Sequence, residues 1–200
     1  MLFIFNDYIL NSGLIPPRNA VECTMAPAIH PMRSYAMISP KMQDALNTQI
    51  NLEQYSAQLY LAMGAHCDGL SFKGFAHWLR VQAGEETAHA VKLIDFLLDR
   101  NGRLALKPIA APATDFGGVI QVFEKTLEHE QGITARINAL FELARAEKDY
   151  ASEITLQWYV TEQVEEESNV GQIVDHLRAV GDQGGGIWYL DSRMGKRVAK

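Results

Sequence analysis

The sequence predicts an all-α fold, a bundle of four long helices with short turns inside each hairpin, a long connection between the hairpins and a short fifth helix at the C-terminus. Three observations carry this. Four segments space their apolar residues at alternating steps of four and three, the signature of one buried helical face. The segment from Arg103 to about Gly117 has no helical period and is long by the standard of ordinary loops, so it suits a crossover climbing the full height of a bundle. Each of the four apolar stripes is also broken near its middle by glutamate.

Taken in order, the chain begins with residues 1–36, which do not share the period of the rest. Met-Leu-Phe-Ile-Phe is a short apolar burst, but no basic residues precede it, Asp7 follows, and Pro16, Pro17, Pro27 and Pro31 interrupt any helix. A secretory signal is a poor fit. The segment reads as a disordered extension, a targeting extension or translation from a start assigned too far upstream. The last is favoured, with Met37 as the start, because Ser39 is a good N-cap and Pro40 a good first helical residue.

A first helix is expected from Pro40 to Cys67 and a second from Phe72 to Arg100, closed by Asn101-Gly102. The few residues between them make the two antiparallel neighbours. A third helix is expected from Gly118 to Glu147 and a fourth from Tyr150 to Val180. After Gly181 and the run Gly184-Gly185-Gly186, residues Ile187 to Met194 have room for two helical turns. With no place left in a four-helix core, Ile187, Trp188, Tyr189 and Leu190 are expected to pack on another element or another subunit. The domain reading is therefore an extension at 1–36, a bundle at 37–182 and a short helix with a tail at 183–200.

Composition narrows the function. The chain has 200 residues, 48% of them hydrophobic, and a formal net charge of −6, which suits one globular domain and argues against a nucleic-acid partner, whose backbone demands a basic face. No apolar run approaches the ~18 residues of a membrane span. Cys23 and Cys67 read as reduced thiols of a cytoplasmic protein.

The stripes carry the chemistry. They run Leu46, Ile50, Glu53, Ala57, Tyr60, Gly64; then Phe75, Leu79, Gln82, Glu86, His89, Leu93, Phe96; then Phe123, Leu127, Glu130, Thr134, Ile137, Phe141; and last Leu156, Tyr159, Gln163, Glu166, Val170, Ile173, Leu177. With turns near Cys67–Ser71 and Lys148–Asp149, Glu53 and Glu86 each stand about 20 Å from the first turn, and Glu130 and Glu166 each about 25 Å from the second. Each pair is level. Burying an unpaired carboxylate costs several kcal/mol, whereas a whole domain is stable by only ~5–15 kcal/mol. No Lys or Arg occupies any stripe, so the simplest missing cation is a metal. Oxygen-rich ligation with one imidazole suits iron or manganese, and in helix bundles this arrangement is a di-iron carboxylate site.

With Asn51-Leu-Glu-Gln-Tyr-Ser, Glu85-Glu-Thr-Ala-His89, Leu127-Glu-His-Glu-Gln131 and Leu156-Gln-Trp-Tyr-Val-Thr-Glu-Gln-Val-Glu-Glu-Glu167 in hand, the chain resembles the bacterial non-haem ferritins over about Met37 to Asp191. The resemblance implies a ferritin-like bundle and a ferroxidase acting on Fe2+ with dioxygen or hydrogen peroxide. It assigns Glu53, Glu86 and His89 to a first iron and makes Glu86 a bridge to a second, held by Glu130 with Glu166 or Gln163. Glu85, Glu162, Glu165 and Glu166 match a third iron position, and Tyr60 matches a tyrosine beside the centre. It further implies storage of ferric mineral inside a homo-oligomeric cage of 24 subunits. One departure bears on haem: Gln163-Val-Glu-Glu166 lacks the second Glu-x-x-His of bacterioferritins, so no haem is expected.

Two other readings compete. A di-iron peroxidase or oxygenase of the same fold would keep its metals as a fixed cofactor, and a metal-free helical binding module of cytokine type would leave the level carboxylates without a role. Glu124, Glu128, Glu142, Glu167 and Asp95 read as solvated surface, and Trp78, Trp158 and Trp188 as packing. His66, His77, His129 and His176 have no ligand context. Tyr60 by itself reads first as packing.

Overall fold

A computed structural model of the chain describes residues 37–181 and 184–199. The N-terminal extension, the expected start of the chain and the expected boundary between 182 and 183 touch residues outside these. Among the described residues there are five helices and no strand: α1 Pro40–Gly69, α2 Lys73–Asp99, α3 Val119–Glu147, α4 Tyr150–Val180 and α5 Gly185–Met194. The expected architecture is present, with helix ends within two residues of those read from sequence.

The ends are set by local chemistry. Ser39 Oγ accepts from Met42 N at 3.0 Å and Pro40 opens α1, as its sequence requires. The second helix starts one residue later than expected, at Lys73, and Phe72 offers no capping side chain. The cap comes from far along the chain: Asp191 Oδ1 in α5 accepts from Phe75 N at 2.8 Å. That contact needs Gly74, since a Cβ there would lie 1.6 Å from Asp191 O. At the other end α2 stops at Asp99, with Asn101 at φ +55° and Gly102 N donating to Leu97 O at 2.8 Å.

Residues 101–118 run beside α1. Gln43 Oε1 accepts from Arg103 N at 2.7 Å, Asn47 Oδ1 accepts from Ala105 N at 2.8 Å, and Asn47 Nδ2 donates to Arg103 O at 3.0 Å. Further along, Asn51 reaches Lys107 O at 3.3 Å and His66 Nε2 donates to Gly117 O at 2.7 Å. From Gln43 to His66 the helix rises about 35 Å, so the connection does climb the bundle, with several of its backbone groups bonded to α1 side chains.

The apolar core falls into two blocks. One holds Tyr60, Met63, Phe75, Leu79, Phe123, Val170 and Leu177; the other holds Met42, Leu46, Ile50, Leu93, Ile137 and Leu156. The stripes of α1 and α4 are buried as read, and that of α2 is buried but for half-buried Phe96. In α3 the inward line continues through Ile133, Leu140 and Ala144, whereas the expected Leu127, Thr134 and Phe141 are only half-buried. A second correction concerns α5. Ile187 does enter the core, at 3% exposure, while Trp188 stacks on Phe72 at 4.8 Å between ring centroids and stays half exposed.

Candidate metal centre

Between the two apolar blocks each long helix turns one glutamate inward. Glu53 of α1 is 1% exposed, Glu86 of α2 3%, Glu130 of α3 1% and Glu166 of α4 1%. Glu53, Glu86 and His89 bring ligand atoms within 4.8 Å of one another, and His89 Nδ1 lies 3.5 Å from Glu86 Oε2. His89, Glu162 and Glu166 form a second group of the same closeness, so one imidazole stands between two sets of carboxylates.

Amides and a phenol hold these groups. Gln49 Nε2 donates to Glu53 Oε1 at 2.8 Å, and Gln82 Nε2 donates to Glu86 Oε1 at 2.8 Å. Tyr60 OH donates to Glu130 Oε1, and Gln163 Nε2 donates to Glu130 Oε2 at 3.2 Å. Glu53 Oε2 and both carboxylate oxygens of Glu166 are buried without a hydrogen-bond partner. Orphaned buried oxygens are rare in folded proteins and costly, and here both carboxylates that carry them have a ligand atom within 4.8 Å of one on His89. The donor set of hard oxygens with one nitrogen fits an iron-like cation.

The same burial sets the proton affinities. Burial, reinforced by the charge of Glu86, pushes the Glu53 carboxyl up to about 8. Burial and then Glu130 push Glu166 up to about 7. Burial raises Glu86 and Glu130 as well. A dry layer of carboxyls that resists ionising alone will ionise around a divalent cation.

The residues expected at a third position are arranged less simply. Glu162 is half-buried and stands with His89 and Glu166. Glu85 is 9% exposed and ion-paired with Arg197, while Glu165 is exposed. Among the described residues neither Glu85 nor Glu165 belongs to a group of three closely placed ligands.

A family model described as the ferritin-like domain matches residues 43–180. The chain belongs to the ferritin family. It is 40% identical to a bacterial non-heme ferritin of Bacteroides fragilis (strain 638R) over 161 residues, covering 80% of this chain and all of the relative. To the bacterial non-heme ferritin of Staphylococcus aureus (strain USA300) it is 37% identical over 162 residues, 81% of this chain and 98% of that one. Among solved structures, an open pore ferritin from the hyperthermophilic archaeon Archaeoglobus fulgidus superposes with a TM-score of 0.80 at 45% identity, covering 80% of this chain and 99% of that chain.

Three residues of this ferritin's site escape a reading of stripes alone. Gln49 lies four residues before Glu53 as Gln82 lies four before Glu86, and that repeated Gln-x-x-x-Glu spacing on two helices was a usable signal. His129, just beside the α3 stripe, meets Ser56 Oγ at 2.7 Å and sets its ring edge-on to Tyr60 with centroids 5.8 Å apart. Burial pushes this imidazole down to about 4, so it is neutral near pH 7. Arg197 lies in an aperiodic tail and gives no sequence signal.

Proposed function

We propose that this ferritin subunit is a ferroxidase that binds two Fe2+ ions as substrate, oxidises them with dioxygen or hydrogen peroxide, and delivers the product to a ferric mineral stored in a cytoplasmic homo-oligomeric cage. The observation that carries the reading is the layer itself: four helices each contribute a nearly fully buried glutamate, Glu53, Glu86, Glu130 and Glu166, one imidazole stands with them, and three of their oxygens have no hydrogen-bond partner. The names of the bacterial relatives support storage rather than a fixed di-iron cofactor. No described helix is long and apolar enough to cross a membrane.

In this reading Glu53, Glu86 and His89 hold the first ion and Glu86 bridges to the second, which Glu130 holds with Gln163 or Glu166. Hard anionic oxygens favour Fe3+ over Fe2+ and so make the ions better electron donors to the oxidant. The protein's own steps are positional and protonic. Gln49 and Gln82 fix one oxygen of Glu53 and Glu86 and leave the other toward the centre. Tyr60 and Gln163 each donate to a different oxygen of Glu130 and so fix the orientation of the whole carboxylate. Protons held on the raised carboxyls leave as the ions bind. Glu162, Glu166 and His89 offer an outer position through which a further ion can be held, with Glu85 and Glu165 on its flank.

Loading with excess Fe2+ in air tests the whole reading. Uptake of hundreds of ions per assembly, with diffraction at the iron edge showing paired peaks between Glu53, Glu86 and Glu130, is the expected result. Saturation near two ions per subunit indicates a fixed cofactor, and no density between these side chains overturns the assignment.

A further inference from the structure

The four inward stripes contain no cation, yet the structure brings one to their edge from beyond the end of the bundle. After α5 the chain turns at Gly195 and returns along α2. His77 Nε2 donates to Arg197 O at 2.8 Å, the guanidinium lies 4.2 Å from the centroid of the Trp78 ring, and it pairs with Glu85 Oε2. Both side chains of the pair are largely shielded, at 15% and 10% exposure. The stack on indole, the His77 contact to its backbone and a hydrogen bond from Arg197 Nη1 to Trp78 O at 3.4 Å give the arginine a fixed seat, unlike the loose ion pairs of an open surface.

What the seat does follows from where Glu85 stands. It neighbours Glu86 in sequence, and its charge, like that of Arg197, reaches Glu166, one of the three residues (His89, Glu162, Glu166) whose ligand atoms draw within 4.8 Å of one another. Glu85 is not in that group, and its carboxylate is paired with Arg197 instead. A guanidinium keeps its charge at any ordinary pH, so it both occupies the oxygen an incoming cation would use and repels that cation.

We propose that Arg197 is a built-in counter-ion that holds Glu85 out of the outer metal position and sets how tightly that position takes a divalent cation. Residues 195–199 are then a latch released by the ion. The inference rests on the outer position of the reading above. Reciprocity follows from linkage: whatever factor the docked tail takes from metal affinity, bound metal takes from docking of the tail.

Titration of the metal-free full-length protein with Zn2+ in a calorimeter, in wild type, Arg197→Gln and Arg197→Lys, tests it. The glutamine variant is expected to bind the third equivalent per subunit about tenfold or more tightly than wild type, the scale of a single strong coupling, with the first two equivalents unchanged. The lysine variant, which keeps the charge but loses the planar fork and much of the stack, falls between. Independently, amide hydrogen exchange at Lys196 to Ala199 in wild type should quicken on the third equivalent and not on the first two. Equal or weaker third binding in Arg197→Gln overturns the latch, as does tail exchange that ignores the third ion. Two equivalents with no third in any variant overturns the latch alone, whereas a wild type that takes no Zn2+ overturns the centre and the latch together.

Discussion

Glu86 and Glu85 are adjacent in the chain, and their surroundings are opposite. Glu86 points between the helices, where its partners are an amide, an imidazole and other carboxylates, and burial keeps its carboxyl protonated well beyond the usual range. Glu85 points to the flank of α2, where an arginine from the C-terminal tail meets it. One residue of helix rotation, about 100°, separates a group that needs an external cation from one supplied with an internal one. The lesson is that burial alone does not mark a metal ligand: the missing counter-charge does.

The largest consequence is for pH. In the metal-free protein Glu53 and Glu166 keep protons that the unfolded chain releases in the ordinary carboxylate range. The folded state therefore binds more protons, and the stability this gives is fully present below that range and lost as pH rises through about 7 and about 8. Each unit of difference is worth about 1.4 kcal/mol, so several kcal/mol are at stake. Urea unfolding of metal-free protein should show a falling midpoint from pH 5 to pH 9, and saturating Zn2+ should flatten or reverse the trend. A midpoint that does not fall would mean the carboxyls are less buried than described.

Removing one central carboxylate comes next. Glu86→Ala should lose more than about 100-fold in affinity at the first metal equivalent, above the 10–100-fold typical of groups that merely support a ligand. Calorimetry reads this, and Glu85→Ala should leave that equivalent within a few-fold of wild type. Equal losses in the two variants would erase the distinction between the neighbours.

Gly74→Ala acts on the other side of the comparison. A Cβ 1.6 Å from Asp191 O cannot be accommodated in place, and such overpacking costs about 1–3 kcal/mol. The expected result is a Tm lower by several degrees together with faster amide exchange throughout α5 and the tail, because the cap on Phe75 N is lost with the contact. Unchanged exchange would show that α5 docks independently of its approach to Gly74.

The smallest effect belongs to Gln49→Leu. Its amide stabilises the charged form of Glu53, so the variant should weaken the first metal equivalent by about tenfold or less, the low end of the range for supporting groups, and raise the pH at which that equivalent binds. Metal binding with an unaltered pH profile would assign Gln49 to packing.

Most of the fold was legible because period and punctuation agree. Ser39-Pro40, Asn101-Gly102 and the aperiodic run from Arg103 mark ends that the structure places within two residues. The exception in α3 has a physical reason: from Glu130 a step of three leads to Ile133 and a step of four to Thr134, and only packing against neighbouring helices decides that the line through Ile133, Leu140 and Ala144 is the buried one. At the centre, Glu53, Glu86, His89, Glu130 and Glu166 were legible because a charged residue in an apolar stripe violates an energetic rule. The orientation of each was not, since the hydrogen bonds of Gln49 and Tyr60 join atoms whose approach depends on helix rotation. Asp191 capping α2 and Arg197 meeting Glu85 were beyond reach, because both link residues over 100 positions apart without any repeating pattern.

The two oily blocks of the core, parted by the polar layer, have a mechanical consequence. Apart from ring contacts such as His89 with Tyr159 and Trp158, the described middle of the bundle is polar, so an ion bound between Glu53, Glu86 and Glu130 would act as a rivet fastening one half of the bundle to the other. On the proposed reading, cargo on its way through would stiffen the vessel that carries it, and the waist would gain most from its arrival.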